Sequence, residues 1–167
     1  VLLGLLVAAT SKGPALFQQK RSGLNDQEFM IQKFRTMRAD AEKNGPQWAK
    51  PNDNRTTLIG KLLRSTHLDE IPQLINVIRG DLSFVGPRPE RPEFVAHLEK
   101  DVPYFELRLL VRPGITGWAQ INYKYGASVE DAYEKLQYDM YYLKNRSITL
   151  DFIILLRTVK YLFTNLK

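Results

Sequence analysis

Two adjacent acids, Asp69 and Glu70, stand in the stretch RSTHLDEIPQLINVIRGDLSFVGPRP, positions 64–89. Like charges on neighbouring residues repel, and a helix start needs a single capping carboxylate, so the second acid calls for another reason. Cations supply one. Arg64 lies five positions before Asp69, Arg88 follows in a Gly-Pro-Arg-Pro cluster, and Lys33 and Arg35 sit together in KFRTM. Arginine suits bidentate phosphate binding. Cations gathered about ionised carboxylates fit a site where anionic phosphate, a divalent metal and a carboxylate coexist, and Mg²⁺ commonly takes one or two carboxylates plus substrate phosphates. Without these neighbours the acid pair would read only as a helix cap and first-turn charge.

Other chemistries lack their residues. No Walker-type loop, G-x-S-x-G elbow, H-E-x-x-H or dinucleotide fingerprint occurs. With no cysteine there is no disulfide framework and no thiolate metal site, and His67 and His97 alone cannot build a zinc centre. The net charge of +6 is concentrated at one end: residues 1–65 hold 11 Lys and Arg against 5 Asp and Glu, while residues 66–167 hold 13 of each. Such a field rewards phosphate-bearing ligands, anionic lipid and nucleic acid alike. Tyr and Arg interleaved in YKYGAS and PYFELRLLVR could stack on a base, but no RNA-module motif accompanies them, so nucleic acid is not expected as a partner.

The elements that must position these residues are mixed, with little sheet and no repeated βαβ unit, in a chain long enough for one core. A turn at Gly13-Pro14, a strand near 15–19, a turn through 22–26 and a strand over 28–34 predict a hairpin carrying Lys33. A polar stretch with Gly45, Pro46 and Pro51 predicts a short helical turn and a long surface loop. Ile71, Leu74, Ile75 and Ile78 predict a short amphipathic helix ending at Gly80, with Asp69 near its N-cap and both acids kept ionised by the helix dipole. Residues 94–99 predict a helix, and 103–122 a turn-rich segment with exposed aromatics. A further helix starts at Ser128, with Asp131 completing a capping box. Its buried stripe would hold Val129, Ala132, Tyr133, Leu136, Met140 and Leu143, with Asp139 roughly 70° from the stripe's centre, at the core border. The last segment places Phe152, Leu155, Leu156, Val159, Leu162, Phe163 and Leu166 on one face, beside Arg157, Lys160 and Lys167. That face fits either the membrane interface or the domain's own core. Val1 to Thr10, VLLGLLVAAT, is too short to span a hydrocarbon core, which takes about 20 residues, and is expected to be the tail of a longer hydrophobic element, the alternative being a buried N-terminal helix or strand.

In order along the chain, SKGPALFQQKRSG, KFRTM, LDEIPQLINVIRGDLSFVGPRPERPEF, RPGITGWAQIN and KLQYDMYYLKN closely resemble the catalytic domain of bacterial monotopic polyprenyl-phosphate phosphoglycosyl transferases. NYKYGASVEDAYEKLQYD is most similar to the larger members, which make exopolysaccharide and lipid-linked glycans. The resemblance implies an α+β fold: one mostly helical domain over 11–167 with a small hairpin or sheet and amphipathic interfacial helices. Residues 1–10 would be the end of a re-entrant membrane helix. It implies a protein of the bacterial inner membrane, working on the cytoplasmic face among its lipids. Asp69 would attack the β-phosphorus of a UDP-sugar and expel UMP, and undecaprenyl phosphate would then take the sugar phosphate from Asp69. Glu70 would hold Mg²⁺ together with Asp69. Lys33, Arg35, Arg64, Arg88 and Asp139 would contact the nucleotide-sugar, Arg88 foremost.

Two rivals stand beside this reading. A Mg²⁺-dependent pyrophosphohydrolase would use water in place of the lipid phosphate. A non-catalytic basic module would dock on anionic membranes or RNA through residues 1–65. The sequence names neither the sugar nor the oligomeric state.

Overall fold

A computed structural model describes residues 2–11, 13–43, 45, 47, 53–123, 126 and 128–164. The fold is α+β, as the sequence predicted. Helix α1 (Leu2–Thr10) leads into a hairpin of β1 (Leu16–Ser22) and β2 (Glu28–Phe34), antiparallel with Gln19 opposite Ile31 and Lys20 opposite Met30. The turn between them is a short 3-10 segment, Leu24–Asp26, in which Asn25 and Asp26 take positive φ.

Helix α2 (Leu58–Ser65) was not foreseen, because only four of its residues are large and apolar and it follows a long polar stretch. Its start is fixed by Thr57, whose hydroxyl accepts from the Gly60 N–H at 2.9 Å. Gly60 is placed by contact: a Cβ there would lie 2.0 Å from the Thr36 carbonyl oxygen, so only glycine lets α2 press against the end of the hairpin. A 3-10 turn, Leu68–Glu70, then joins α2 to α3 (Gln73–Arg79). Gly80, at φ 84°, ends α3 as expected.

The chain returns through β3 (Ser83–Val85), α4 (Pro92–Asp101), a 3-10 segment over Phe105–Leu110, β4 (Gly114–Thr116) and α5 (Trp118–Asn122). Strands β3 and β4 pair in parallel, Ser83 with Gly114 and Val85 with Thr116, a contact that sequence patterning over three residues cannot show. Segment 103–122 is therefore more ordered than predicted, and Phe105 and Arg108 within it are buried while Tyr104 is exposed.

Two helices close the domain. In α6 (Val129–Asn145) the capping box forms as read, with the Ser128 N–H on Asp131 Oδ2 at 3.0 Å and the Asp131 N–H on Ser128 Oγ at 3.1 Å. Ala132 and Leu136 join Val95, Leu98, Val102 and Phe105 in one core, with Val129 and Met140 at its border. Tyr133, expected inside, is exposed, and Tyr142 takes the buried place next to Val85 and Ile154. Helix α7 (Ile148–Thr164) packs through Ile154 and Thr158, the latter bonded to Thr116, so its larger apolar face is not in the core. Phe152, Leu155, Leu156 and Val159 are exposed. The side chain of Phe163, together with Leu166 and Lys167, lies outside the described residues, as do parts of the long polar loop and of YKYGAS.

Candidate active site

The two acids occupy the 3-10 turn ahead of α3, and the helix begins only after Pro72. The expected cap is therefore absent: α3 is a seven-residue helix whose N-cap is Pro72, with no side-chain cap hydrogen bond. His67, at φ 55°, bends the chain into the turn. What surrounds the acids is a ring of side chains from three elements, and it treats the two acids differently.

Glu70 is clamped. Its Oε1 accepts from Lys33 Nζ at 2.7 Å and from Arg88 Nη2 at 2.9 Å. Burial alone would push its carboxyl up, but the charges of Arg88 and Lys33 and their hydrogen bonds outweigh that and hold it well below the usual carboxylate range. Its Oε2 accepts no hydrogen bond among the described residues.

Asp69 is different. Only 7% exposed, it receives no hydrogen bond or ion pair among the described residues. Burial pushes its carboxyl above the ordinary value against the pull of Lys33, and the neighbouring charge of Glu70 adds to the rise. The expectation that both acids are depressed holds for Glu70 and fails for Asp69. Desolvation is the reason.

Lys33 reaches the turn because β2 is fixed to α3 by a residue the sequence reading did not single out. Asn76, fully buried, accepts from the Gln32 N–H at 3.2 Å and donates to the Met30 carbonyl at 2.8 Å and to Asp81 Oδ2 at 3.1 Å. It fills a backbone gap along the outer edge of the hairpin and so sets Lys33, the next residue, beside Glu70. Its position as the one polar residue within the run Leu74–Ile78 of α3 was the available signal. Burial also pushes the Lys33 ammonium below the usual lysine value, against the pull of Glu70.

Arg64 arrives with α2. Its Nε donates to Thr36 Oγ1 at 2.8 Å, and its terminal nitrogens carry no hydrogen bond among the described residues, while its charge acts on Asp69. That fork is suited to a phosphate approaching Asp69. Arg21, also passed over by the sequence reading, comes in from β1, donates to the Pro89 carbonyl at 2.9 Å and lies within the field of Arg88, Glu90 and Glu70. Burial lowers its guanidinium to about 10.

Two expected site residues lie apart from the acids. Arg35 donates through Nη2 to the Ser11 carbonyl at 2.7 Å and to Ser11 Oγ at 2.8 Å, tying the exit of α1 to the hairpin. Asp139 is buried against Arg108, with Nε and Nη2 at 3.0 Å and 2.9 Å from its Oδ2. It stands behind the Arg88 segment and faces no open space.

A Mg²⁺ ion can be tested against these donors. Among the described residues there is no cluster of three or more His, Cys, Asp or Glu able to hold a metal. What is present is two carboxylates with unclaimed oxygens, both on Asp69 and one on Glu70, which fits an ion that takes its remaining ligands from phosphate and water.

Comparisons with known proteins give the chain's family. The family model described as bacterial sugar transferase matches residues 1–165. The UDP-N-acetylgalactosamine-undecaprenyl-phosphate N-acetylgalactosaminephosphotransferase of Aeromonas hydrophila is 41% identical over 160 residues, covering 96% of this chain and 38% of its own length. A UDP-glucose:undecaprenyl-phosphate glucose-1-phosphate transferase of Xanthomonas campestris pv. campestris is 42% identical over 155 residues, 91% of this chain and 32% of its own. The protein of the same description from Escherichia coli strain K12 is 39% identical over 168 residues, 98% of this chain and 36% of its own. The chain thus spans about a third of the length of these relatives.

Proposed function

The chain belongs to the bacterial sugar transferase family, and from that premise we propose that it moves a sugar 1-phosphate from a UDP-sugar to undecaprenyl phosphate with release of UMP. The relatives' names support the two substrates, since they pair a UDP-sugar or a sugar phosphate with undecaprenyl phosphate. The observation that carries the chemistry is the division between the acids. A carboxylate with no hydrogen bond keeps its lone pairs for a phosphorus atom, and a raised pKa makes it the better nucleophile of the two. A carboxylate already holding two cations is a fixture that orients them.

The reaction then runs in two displacements. A carboxylate oxygen of Asp69 attacks the β-phosphorus of the UDP-sugar, the bond from that phosphorus to the bridging oxygen breaks, and UMP leaves with the electron pair. The product is a sugar-phosphoryl-aspartate. A phosphate oxygen of undecaprenyl phosphate next attacks the same phosphorus and expels the Asp69 carboxylate, giving undecaprenyl-diphospho-sugar. Arg64, through its terminal nitrogens, and Lys33 and Arg88, held by Glu70, neutralise the diphosphate as it nears Asp69. A Mg²⁺ ion bound by Asp69 and Glu70 Oε2 would add charge screening between donor and nucleophile.

The acceptor is a lipid phosphate, so the domain must work at a membrane surface, and we place it on the cytoplasmic face of the bacterial inner membrane. None of the helices among the described residues is long and apolar enough to cross a bilayer. Support for a surface position comes from apolar side chains left exposed: Leu2 and Leu5 on α1, Leu58 and Leu62 on α2, and Phe152 and Leu156 on α7.

The test is UMP release from UDP-glucose and from UDP-N-acetylgalactosamine, with Mg²⁺, with and without undecaprenyl phosphate. Acceptor-dependent release is expected, preceded by a stoichiometric burst when acceptor is withheld. Steady release of sugar phosphate without acceptor would replace the transferase by a pyrophosphohydrolase.

A further inference from the structure

The segment that carries Arg88 is held at every carbonyl. Pro87 O accepts from the Gly114 N–H, Arg88 O from Arg108 Nη2, Pro89 O from Arg21 Nη1 and Glu90 O from the Ser22 N–H, each at 2.9 Å. The two prolines fix their own φ and need no partner for an N–H. The donors come from opposite sides: Arg21 and Ser22 from the hairpin, Arg108 and Gly114 from the 3-10 segment and β4. The strap is a preset part of the site.

Arg108 differs from the other three donors in what lies behind it. Its Nη2 is 2.9 Å from both the Arg88 carbonyl and Asp139 Oδ2, its Nε is 3.0 Å from that same oxygen, and its guanidinium lies over the Phe105 ring at 5.0 Å. Both members of the pair are nearly inaccessible, at 7% and 1% exposure. A buried ion pair brings little net stability over a well-packed apolar substitute, so its use must lie in geometry. A planar fork can serve a carboxylate and a carbonyl at fixed angles, which a lysine ammonium cannot.

We propose that Arg108, oriented by Asp139, is a positioning residue that fixes the backbone at Arg88 and thereby the direction in which the Arg88 guanidinium meets the donor diphosphate. The inference rests on the proposed phosphate contact of Arg88. Asp139 then acts through Arg108 and touches no substrate, which accounts for its burial away from the acids.

A double-mutant cycle on the full-length protein tests it, with UMP release from whichever of UDP-glucose and UDP-N-acetylgalactosamine is turned over. Arg88→Lys and Arg108→Lys should each lower kcat/KM by about 10- to 100-fold, and the double variant should fall no more than about twofold below Arg88→Lys alone, because the second change has nothing left to position. A double variant whose loss is the product of the two single losses would overturn the role of Arg108 and leave that of Arg88 standing. Unchanged kcat/KM in Arg88→Lys would instead strike the phosphate contact, and the inference with it. Thermal melting checks that Arg108→Lys is folded. If it is not, Asp139→Asn, which keeps shape and an acceptor, completes the same cycle with the same two outcomes.

Discussion

Lys33 Nζ lies 2.7 Å from Glu70 Oε1, joining the second strand of the hairpin to the turn that carries both acids. Arg88 meets the same oxygen from the other side at 2.9 Å. Asp69, one residue earlier, is left without a donor among the described residues, so two carboxylates adjacent in sequence have opposite roles in the fold.

Asp69→Asn and Glu70→Gln should therefore separate stability from activity. Removing the Asp69 charge relieves a buried carboxylate of its desolvation, so Asp69→Asn should melt at or above the wild-type temperature while UMP release falls at least about a thousandfold, the loss that the proposed role of Asp69 as nucleophile requires. Glu70→Gln leaves Lys33 and Arg88 facing each other without a counter-charge. It should lose activity and also about 2 kcal/mol of stability. Thermal melts beside a UMP assay read both, and equal melting of the two variants would contradict the division.

The pH dependence follows from the same division. The raised pKa of Asp69 means that the folded state holds its proton more tightly than the unfolded chain, so stability from this group falls as pH rises through its folded value. The depressed pKa of Glu70 works the other way. Its contribution is complete above the unfolded value of about 4.3 and is lost only as pH falls well below it. Melting curves between pH 3 and 7 should show a weaker decline with rising pH in Asp69→Asn and a weaker gain in Glu70→Gln. The acid limb of kcat/KM should sit above the ordinary aspartate value near 3.9.

Residue types and spacing were enough to single out the acid pair with Lys33, Arg64 and Arg88, together with the hairpin, α3, its stop at Gly80 and the Ser128 capping box, whereas Arg35 binds Ser11 instead, and Asp139, named through the family resemblance alone, binds Arg108. These are local signals. The unequal state of Asp69 and Glu70 was not legible, because it depends on which acid the hairpin reaches, and that distance is set by Asn76 from another element. Arg108 read as part of an exposed turn-rich stretch, since the partners that hold it inside, Asp139 on α6 and the Arg88 carbonyl, lie 31 and 20 residues away in the chain. Of the stripe assigned to α7, Phe152, Leu155, Leu156 and Val159 face outward, and hydrophobic periodicity gives a face without saying what it meets.

Gly60→Ala tests the seating of α2. The added Cβ would overlap the Thr36 carbonyl, so the helix must move away and draw Arg64 off Thr36 Oγ1. A loss of about 1–3 kcal/mol is expected in chemical denaturation, the range for overpacking against an unyielding neighbour. In molecules that remain folded, donor KM should rise, because the proposed phosphate contact of Arg64 would be displaced with it.

Asn76→Asp keeps the acceptor for Gln32 but removes the donor to Met30 and sets a second carboxylate against Asp81. With the site fully buried, destabilisation by about 2–4 kcal/mol is expected from the uncompensated polar groups. The loss should be larger at pH 7 than at pH 4, where the new carboxyl can bind a proton. Equal losses at both pH values would mean that missing hydrogen bonds, not charge, cause the damage.

The outward face of α7 gives the last test. Phe152 and Leu156 are 61% and 56% exposed, so replacing both by serine removes apolar surface from water while disturbing no packed core. The melting temperature should hold. Binding to vesicles of phosphatidylethanolamine and phosphatidylglycerol should weaken by at least about tenfold, since burying one such side chain is worth roughly 1.5–3 kcal/mol. The basic Arg157 and Lys160 on the same helix add attraction to anionic lipid, so the residual binding of the double-serine variant should be sensitive to salt. Vesicle binding equal to wild type would take α7 off the membrane surface and leave attachment to α1 and α2.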